Sequence, residues 1–190
     1  LESRIGHLLE NANPTAAVYA KTAEVVIRIT AKAASENEAR RMCLDYAKHF
    51  YDILGDCVYA MDADSLEEVV VKELAARGLT VATAESCTGG ELEARITDIP
   101  GASAVLRGGV VVYTNDAKHL LLGIPRDTLE KYGAVSREVA AELAERVRLK
   151  LGAQLGVGIT GLAGPDGDGR NPVGTVFVSL SDGTRTWVRE

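Results

Sequence analysis

The sequence predicts an α/β protein in which a mixed-sheet α/β sandwich, residues 65–190, follows a small α+β unit, residues 1–64. Two observations lead to this division. The first unit has the pattern strand, strand, helix, strand, whereas strands and helices alternate in the second, as in layered α/β domains. Glycine is also unevenly distributed, since 15 of the 19 glycines lie between Gly89 and Gly174.

In the first unit, apolar residues alternate with small or polar ones around Val18 and from Val25 to Ile29, which predicts two strands. From Ser35 to Gly55, apolar residues recur every three or four positions. This spacing predicts an amphipathic helix that ends at the glycine. The segment DCVYAMD, 56–62, predicts a third short strand that completes a β-β-α-β order.

The second unit begins with a capping-box pattern, Ser65 followed by Glu68. Helices are predicted at 65–78, 89–97, 115–123, 125–133 and 136–151, and strands at 79–86, 104–114, 153–160, 175–180 and 184–190. The apolar run of strand 104–114 predicts burial on both of its faces. A turn at 181–183 joins the last two strands and predicts an antiparallel end to the sheet.

Composition disfavours several classes of partner. The formal net charge is −6, with 27 acidic against 21 basic residues, so we expect no nucleic-acid partner. No apolar run approaches the roughly 20 residues that span a bilayer, so we expect no membrane partner. The three cysteines show no C-x-x-C spacing, which favours a reducing compartment, and we expect a cytoplasmic location.

The stretch TAESCTGG, 83–90, follows a predicted strand and precedes a predicted helix. At such a junction Ser86 would lie at the carboxyl edge of the sheet, and the backbone amides of Thr88, Gly89 and Gly90 would suit an oxyanion or a phosphate. A helix cap formed by Ser86 or Thr88 is the simpler explanation of the same residues. The stretch matches neither G-x-S-x-G nor S-x-x-K, the two common serine-nucleophile motifs.

The stretch YTNDAKH, 113–119, likewise follows a strand and begins a helix, which Thr114 or Asn115 would cap. Lys118 is the residue of this stretch whose side chain suits acid–base chemistry. In a partly desolvated site its pKa would fall, and the neutral amine would take a proton from a neighbouring serine. The alternative is an ordinary solvated lysine.

The glycine-rich stretch GITGLAGPDGDG, 158–169, follows a buried strand, which in open α/β sheets is a common place for ligand contacts. It lacks the G-K-[ST] ending of a P-loop. Asp166 and Asp168 resemble the start of a calcium loop, but Arg170 and Phe177 break that pattern, so no metal is expected. Thr160 would direct its hydroxyl into the same crevice as Ser86, although a plain connecting loop explains the composition equally well.

Six stretches in this order resemble the CinA family, in its carboxyl-terminal domain, the nicotinamide mononucleotide deamidase domain also called PncC: AESCTGG, ITDIPGAS, GGVVVYTNDAKHLLLG, GAVSREVA, ITGLAGPDG and PVGTVFV. The first unit resembles the KH-like linking domain of the same family. That unit has no G-x-x-G loop or basic patch, so the KH-like resemblance does not imply RNA binding. This chain departs from the family pattern at Asn171, where a lysine is usual.

The resemblance implies hydrolysis of nicotinamide mononucleotide (NMN) to nicotinic acid mononucleotide and ammonia in pyridine-nucleotide recycling, without metal or cofactor. It implies Ser86 as nucleophile, Lys118 as base and the Tyr113 hydroxyl as a supporting group. Thr88, Gly89 and Gly90 would then hold the oxyanion. Asn115, Thr160 and Gly161 are expected to line the substrate site.

The family continues past the last strand into a closing helix, so we expect the second unit to be cut short at Glu190. An incomplete sheet edge favours a homodimer. Two alternatives remain at this point. Cys87, with His119 as its partner, would make a cysteine hydrolase. The chain would otherwise be a nucleotide-binding or interaction module of a competence and DNA-damage protein, without turnover.

Overall fold

The computed structural model describes residues 2–190, and the chain divides into two compact units, Leu1–Asp62 and Ala63–Glu190. The first unit contains helix α1 (Glu2–Leu9), strands β1 (Thr15–Lys21) and β2 (Glu24–Thr30), helix α2 (Glu36–Leu54) and a short 3-10 helix (Gly55–Cys57). β1 and β2 pair as an antiparallel hairpin. The Ser35 hydroxyl caps α2 by accepting a hydrogen bond from the Glu38 amide at 3.3 Å.

The core of the first unit is built from α1, α2 and one face of the hairpin. Ile5, Phe50 and Leu54 are buried, and Ile27 and Ile29 of β2 pack against them. The sequence analysis did not predict α1, although its apolar residues stand at the three- and four-residue spacing of a helix face. Buried Ile5 shows that this helix completes the small core.

The third strand predicted at 56–62 is wrong. The 3-10 helix occupies the start of that segment, and Asp62 adopts a positive φ of 55° that interrupts an extended chain. Val58 packs against the core, while Tyr59 and Met61 are exposed. The segment therefore crosses the surface and adds no strand to the hairpin.

The second unit contains five strands and five α-helices. The helices are α3 (Leu66–Ala76), α4 (Glu91–Thr97), α5 (Asn115–Leu122), α6 (Arg126–Tyr132) and α7 (Arg137–Leu151), with a 3-10 helix at Ala102–Ala104. The strands are β3 (Val81–Glu85), β4 (Leu106–Val111), β5 (Leu155–Gly161), β6 (Val176–Ser181) and β7 (Thr186–Arg189). No helix among residues 2–190 is long and apolar enough to cross a membrane.

The strands form one mixed sheet in the order β4-β3-β5-β6-β7, in which β4, β3 and β5 are parallel and β6 and β7 are antiparallel. Alternate residues of a strand point to opposite faces of the sheet, and helices cover both of these faces. Val81 packs with α3 and α4, whereas Ala82 and Ala84 pack with α5, α6 and α7. This arrangement confirms the predicted mixed-sheet α/β fold with its antiparallel end.

Strand β4 is shorter than predicted, and the expectation that it is buried on both faces is wrong. It lies at the edge of the sheet with β3 as its only strand neighbour among the described residues. The side chain of Val111 is 44% exposed. The apolar run therefore reflects one helix-covered face and a short solvent-facing edge.

Two glycines in β5 allow α7 to approach the sheet closely. A Cβ atom at Gly158 would lie 2.6 Å from the Ala140 carbonyl oxygen and 2.7 Å from the Leu143 Cβ. At Gly156 it would lie 2.0 Å from the Ala144 carbonyl oxygen. Backbone atoms of a packed helix cannot move aside as a flexible side chain does, so these positions require glycine.

Replacing Gly158 by alanine should therefore overpack the α7–β5 contact and lower the free energy of unfolding by about 1–3 kcal/mol. Urea denaturation followed by circular dichroism measures this change. Gly6→Ala is the control, because a Cβ atom at Gly6 meets no atom within 4 Å and alanine favours a helix. Equal stability of the Gly158→Ala variant and the native chain would contradict the close contact.

Candidate active site

The carboxyl ends of the three parallel strands meet at one edge of the sheet. Ser86 directly follows β3, Val112 directly follows β4, and Gly161 ends β5. The Ser86 amide donates a hydrogen bond to the Ile159 carbonyl of β5 at 3.0 Å. Ligand sites of open α/β sheets commonly form at this edge.

Lys118 points into this edge from the first turns of α5. Its Nζ lies 3.1 Å from Ser86 Oγ, 2.9 Å from the Val112 carbonyl oxygen and 3.3 Å from the Tyr113 carbonyl oxygen. The Lys118 side chain is 1% exposed and Ser86 is 6% exposed. The structure thus brings together the serine and the lysine singled out in the sequence, and it shows that the lysine is not a solvated charge.

Burial sets the protonation of this amine. Desolvation lowers the pKa of Lys118 from 10.5 to about 8. The two carbonyl oxygens match the two N–H groups of a neutral amine, which leaves the nitrogen lone pair facing Ser86. The geometry therefore suits a lysine that takes the proton of the Ser86 hydroxyl.

The turn that carries Ser86 is organised by Glu85, a residue that the sequence analysis did not single out. Its carboxylate is buried and accepts hydrogen bonds from the amides of Gly90 at 3.1 Å, Leu92 at 3.1 Å and Glu93 at 2.9 Å. These amides begin α4 and would otherwise lack acceptors. A charged residue at the end of an otherwise uncharged buried strand is the sequence signal that could have revealed it.

Because of this arrangement, Gly89 and Gly90 do not provide free oxyanion donors, and that expectation is corrected here. The Gly90 amide donates to Glu85, and the Gly89 amide donates to the Ser86 carbonyl at 3.2 Å. Within residues 2–190, the amides of Cys87 and Thr88 have no oxygen acceptor. Thr88 Oγ1 is likewise buried without a hydrogen-bond partner in this part of the chain.

Cys87 lies between Ser86 and the end of β5. Its sulfur is close enough to Gly161 that a Cβ atom there would meet it at 3.0 Å. Burial raises the pKa of the Cys87 thiol, although its own amide and that of Thr88 act in the opposite direction. His119 Nδ1 contacts the Ile124 carbonyl oxygen at 2.9 Å. The imidazole needed by a cysteine hydrolase is thus engaged at the end of α5.

The remaining predicted residues occupy different positions from those expected. The Tyr113 carbonyl oxygen contacts Lys118 Nζ, while the Tyr113 side chain is 72% exposed. Thr114 caps α5, so Asn115 is an exposed residue of the first turn. Thr160 is fully buried and donates its hydroxyl hydrogen to the Ala134 carbonyl at 2.8 Å, rather than into a crevice.

The glycine-rich loop after β5 is held by its own polar groups. The Asp168 carboxylate accepts hydrogen bonds from the amides of Arg170 and Asn171. The Arg170 guanidinium donates to the Lys131 carbonyl of α6 at 3.0 Å, and the Asn171 side-chain amide donates to the Val135 carbonyl at 2.9 Å. Arg170 therefore fixes the loop to α6, and Asn171 fixes it to the segment between α6 and α7.

No group of three or more histidine, cysteine, aspartate or glutamate side chains in the described part of the chain is arranged to hold a metal ion. A groove of about 520 Å³ runs along α2 in the first unit, between Arg40, Leu44 and Tyr51. It belongs to the unit that does not contain Ser86 and Lys118.

Comparison with known sequences identifies two regions. Residues 63–190 match the CinA C-terminal domain, and residues 1–60 match the KH domain of damage-inducible protein CinA. A CinA-like protein of Desulfovibrio desulfuricans is 47% identical over 187 residues, which cover 98% of this chain and 44% of the relative. The chain spans about half the length of the curated relatives it matches.

Solved structures give the same relationship. The competence/damage inducible protein CihA of Agrobacterium tumefaciens has a TM-score of 0.64 at 38% identity, covering 70% of this chain and 82% of its own. A competence-damaged protein (CinA) superfamily protein of Escherichia coli has a TM-score of 0.64 at 32% identity. The match covers 70% of this chain and 79% of the Escherichia coli chain.

The buried amine should make stability depend on pH. The folded-state pKa of Lys118 lies below its unfolded value, so the unfolded chain binds more protons between pH 8 and 10.5 and stability rises with pH there. Relative to Lys118→Met, the native chain should gain about 3 kcal/mol of unfolding free energy across that range. Urea titrations at several pH values measure it.

Lys150→Met is the matched control, because Lys150 is an exposed lysine of α7. This variant should keep the pH-dependent gain of the native chain. If Lys118→Met kept it as well, the amine of Lys118 would not be titrating below its ordinary range.

Proposed function

The chain belongs to the CinA family, and we propose that it hydrolyses the carboxamide of NMN to nicotinic acid mononucleotide and ammonia. The proposal rests on one observation: Lys118 and Ser86 are both buried, and Lys118 Nζ lies 3.1 Å from Ser86 Oγ. A serine hydroxyl is a weak nucleophile until a neighbouring base removes its proton. A lysine whose pKa is about 8 can act as that base near neutral pH.

In the proposed reaction, Ser86 Oγ attacks the carboxamide carbon as Lys118 takes the hydroxyl proton. The amide oxygen becomes an oxyanion, which the amides of Cys87 and Thr88, free of any oxygen acceptor among residues 2–190, stabilise. Lys118 then returns the proton to the amide nitrogen, the carbon–nitrogen bond breaks and ammonia leaves. Water, deprotonated by the same amine, hydrolyses the acyl-serine and restores Ser86. No metal or cofactor takes part in these steps.

Serine is favoured over the neighbouring cysteine as nucleophile. The pKa of the Cys87 thiol is raised by burial, so the thiolate is disfavoured, and Lys118 hydrogen-bonds to Ser86. A catalytic cysteine requires a group that stabilises its thiolate. His119, the nearest candidate in the sequence, contacts a backbone carbonyl instead.

A nucleotide-binding or interaction module without turnover is the second candidate. It is favoured by the low exposure of Ser86, which restricts the approach of a substrate. A relative of this chain is named as a putative competence-damage inducible protein. Calorimetry that shows NMN binding, combined with an assay that detects no ammonia, would support this candidate.

Two expectations from the sequence remain proposals. A cytoplasmic location is supported by the unpaired state of Cys43, Cys57 and Cys87. A homodimer is supported by strands β4 and β7, each of which has a strand neighbour on one side only within the described residues. The substrate is a small nucleotide, with no nucleic acid or membrane involved.

Incubation with NMN should release ammonia and nicotinic acid mononucleotide in equal amounts. Because the free enzyme needs neutral Lys118, kcat/KM should rise with pH to a plateau, with a midpoint near 8. Ser86→Ala should lower kcat by at least about a thousandfold, since no nucleophile replaces the serine. Coupled ammonia assays and chromatography of the products measure these changes.

Cys87→Ala is the matched control at the adjacent position, and its kcat should stay within about threefold of the native value, because the thiol takes no part in the proton transfer. Undiminished turnover by Ser86→Ala would rule out the serine mechanism. Loss of turnover in Cys87→Ala, with turnover kept in Ser86→Ala, would identify Cys87 as the nucleophile.

A further inference from the structure

We propose that Glu85 is a positioning residue for the nucleophile, which selects the amides of Cys87 and Thr88 as the oxyanion donors. The inference rests on the proposed serine mechanism and concerns how the chain prepares its donors. Glu85 is 1% exposed, and no lysine or arginine forms an ion pair with it among residues 2–190. Its neighbours at the carboxylate are the three backbone amides at the start of α4.

Most backbone amides around this turn already have an oxygen acceptor, which leaves two as candidate oxyanion donors. The Ser86 amide donates to β5, the Gly89 amide donates to the Ser86 carbonyl, and the Glu91 amide donates to the Thr88 carbonyl. Glu85 accepts the amides of Gly90, Leu92 and Glu93. The amides of Cys87 and Thr88, which directly follow the nucleophile, are the two in this turn without an oxygen acceptor, and both face the Cys87 sulfur instead.

The backbone of Glu85 also joins the two halves of the site. Its carbonyl accepts a hydrogen bond from the Val112 amide at 2.8 Å, and the Val112 carbonyl accepts one from Lys118 Nζ at 2.9 Å. Ser86 follows Glu85 directly in the chain. One residue therefore fixes the turn that carries the nucleophile and contacts the strand end that holds the base.

The carboxylate has the shape and charge that this task requires. Three N–H donors need acceptor lone pairs on both side-chain oxygens. Glutamine keeps one oxygen and places an NH₂ donor against the remaining amide, whereas aspartate keeps the charge but is one methylene too short to reach the same amides. Released amides would let the start of α4 shift, and the angle between Ser86 and the two donors would be lost.

The test compares the native chain with Glu85→Gln and Glu85→Asp in two assays. The first is NMN hydrolysis, in which kcat should fall about a hundredfold while KM stays within threefold, the size of effect seen when one oxyanion donor is lost. The second is labelling by a fluorophosphonate. Ser86 Oγ bonds to phosphorus, fluoride leaves, the proton passes to Lys118, and the phosphoryl oxygen occupies the oxyanion position.

Labelling at Ser86 should slow about a hundredfold in both variants, and it does not depend on NMN being the substrate. Native labelling without NMN turnover would refute the proposed function and leave the comparison at Glu85 valid. Absence of both activities in the native chain would refute the serine mechanism and this inference together.

Two controls separate positioning from general destabilisation. Glu91→Gln removes an exposed carboxylate from the same helix start and should label at the native rate. Leu129→Ala truncates a buried core side chain of α6, which carries none of the donors, and should also label at the native rate while folded. Native-like labelling and kcat in folded Glu85→Gln would overturn the proposal. So would loss of folding in both Glu85 variants, because the carboxylate would then serve stability alone.

Discussion

The burial of the Lys118 amine is the constraint on which the rest of the site depends. An ammonium removed from water is costly unless it is paired or loses its proton, and this lysine has no carboxylate partner among the described residues. Its Nζ contacts two carbonyl oxygens directly after β4 and the Ser86 hydroxyl. Lys118 keeps this position beside Ser86 only while β3 and β4 stay paired in parallel, so the proposed mechanism depends on this edge of the sheet.

Two buried ionisable groups on either side of Ser86 are accommodated in opposite ways. Lys118 is surrounded by few opposing charges, so desolvation lowers its pKa and favours the neutral base. Glu85 accepts hydrogen bonds from three backbone amides at the start of α4. In the proposed mechanism, Lys118 accepts the proton of Ser86 and Glu85 holds the turn that orients it.

Much of this could be predicted from the sequence, because hydrophobic periodicity sets the order of strands and helices and because the ends of parallel strands converge. The two strand-to-helix junctions that carry Ser86 and Lys118 were predicted in that way, whereas the nucleophile and base roles came from the resemblance to the CinA family. The edge position of β4 and the irregular path of 56–62 could not be predicted, since both depend on which strands become neighbours. The contacts of Glu85, and the pairing of the Gly89 and Gly90 amides, depend on individual hydrogen bonds that form only after the turn at Ser86 has folded.

The central claim is that Lys118 is a base of lowered pKa in the folded chain, and nuclear magnetic resonance tests it most directly. Lysine labelled with ¹³C at Cε reports the protonation of each amine, and Lys118→Met assigns the resonance. The account predicts that this resonance titrates with a midpoint near 8, below the ordinary lysine value of 10.5. A midpoint at or above 10.5 would contradict it, because the amine would then remain protonated where a base is required.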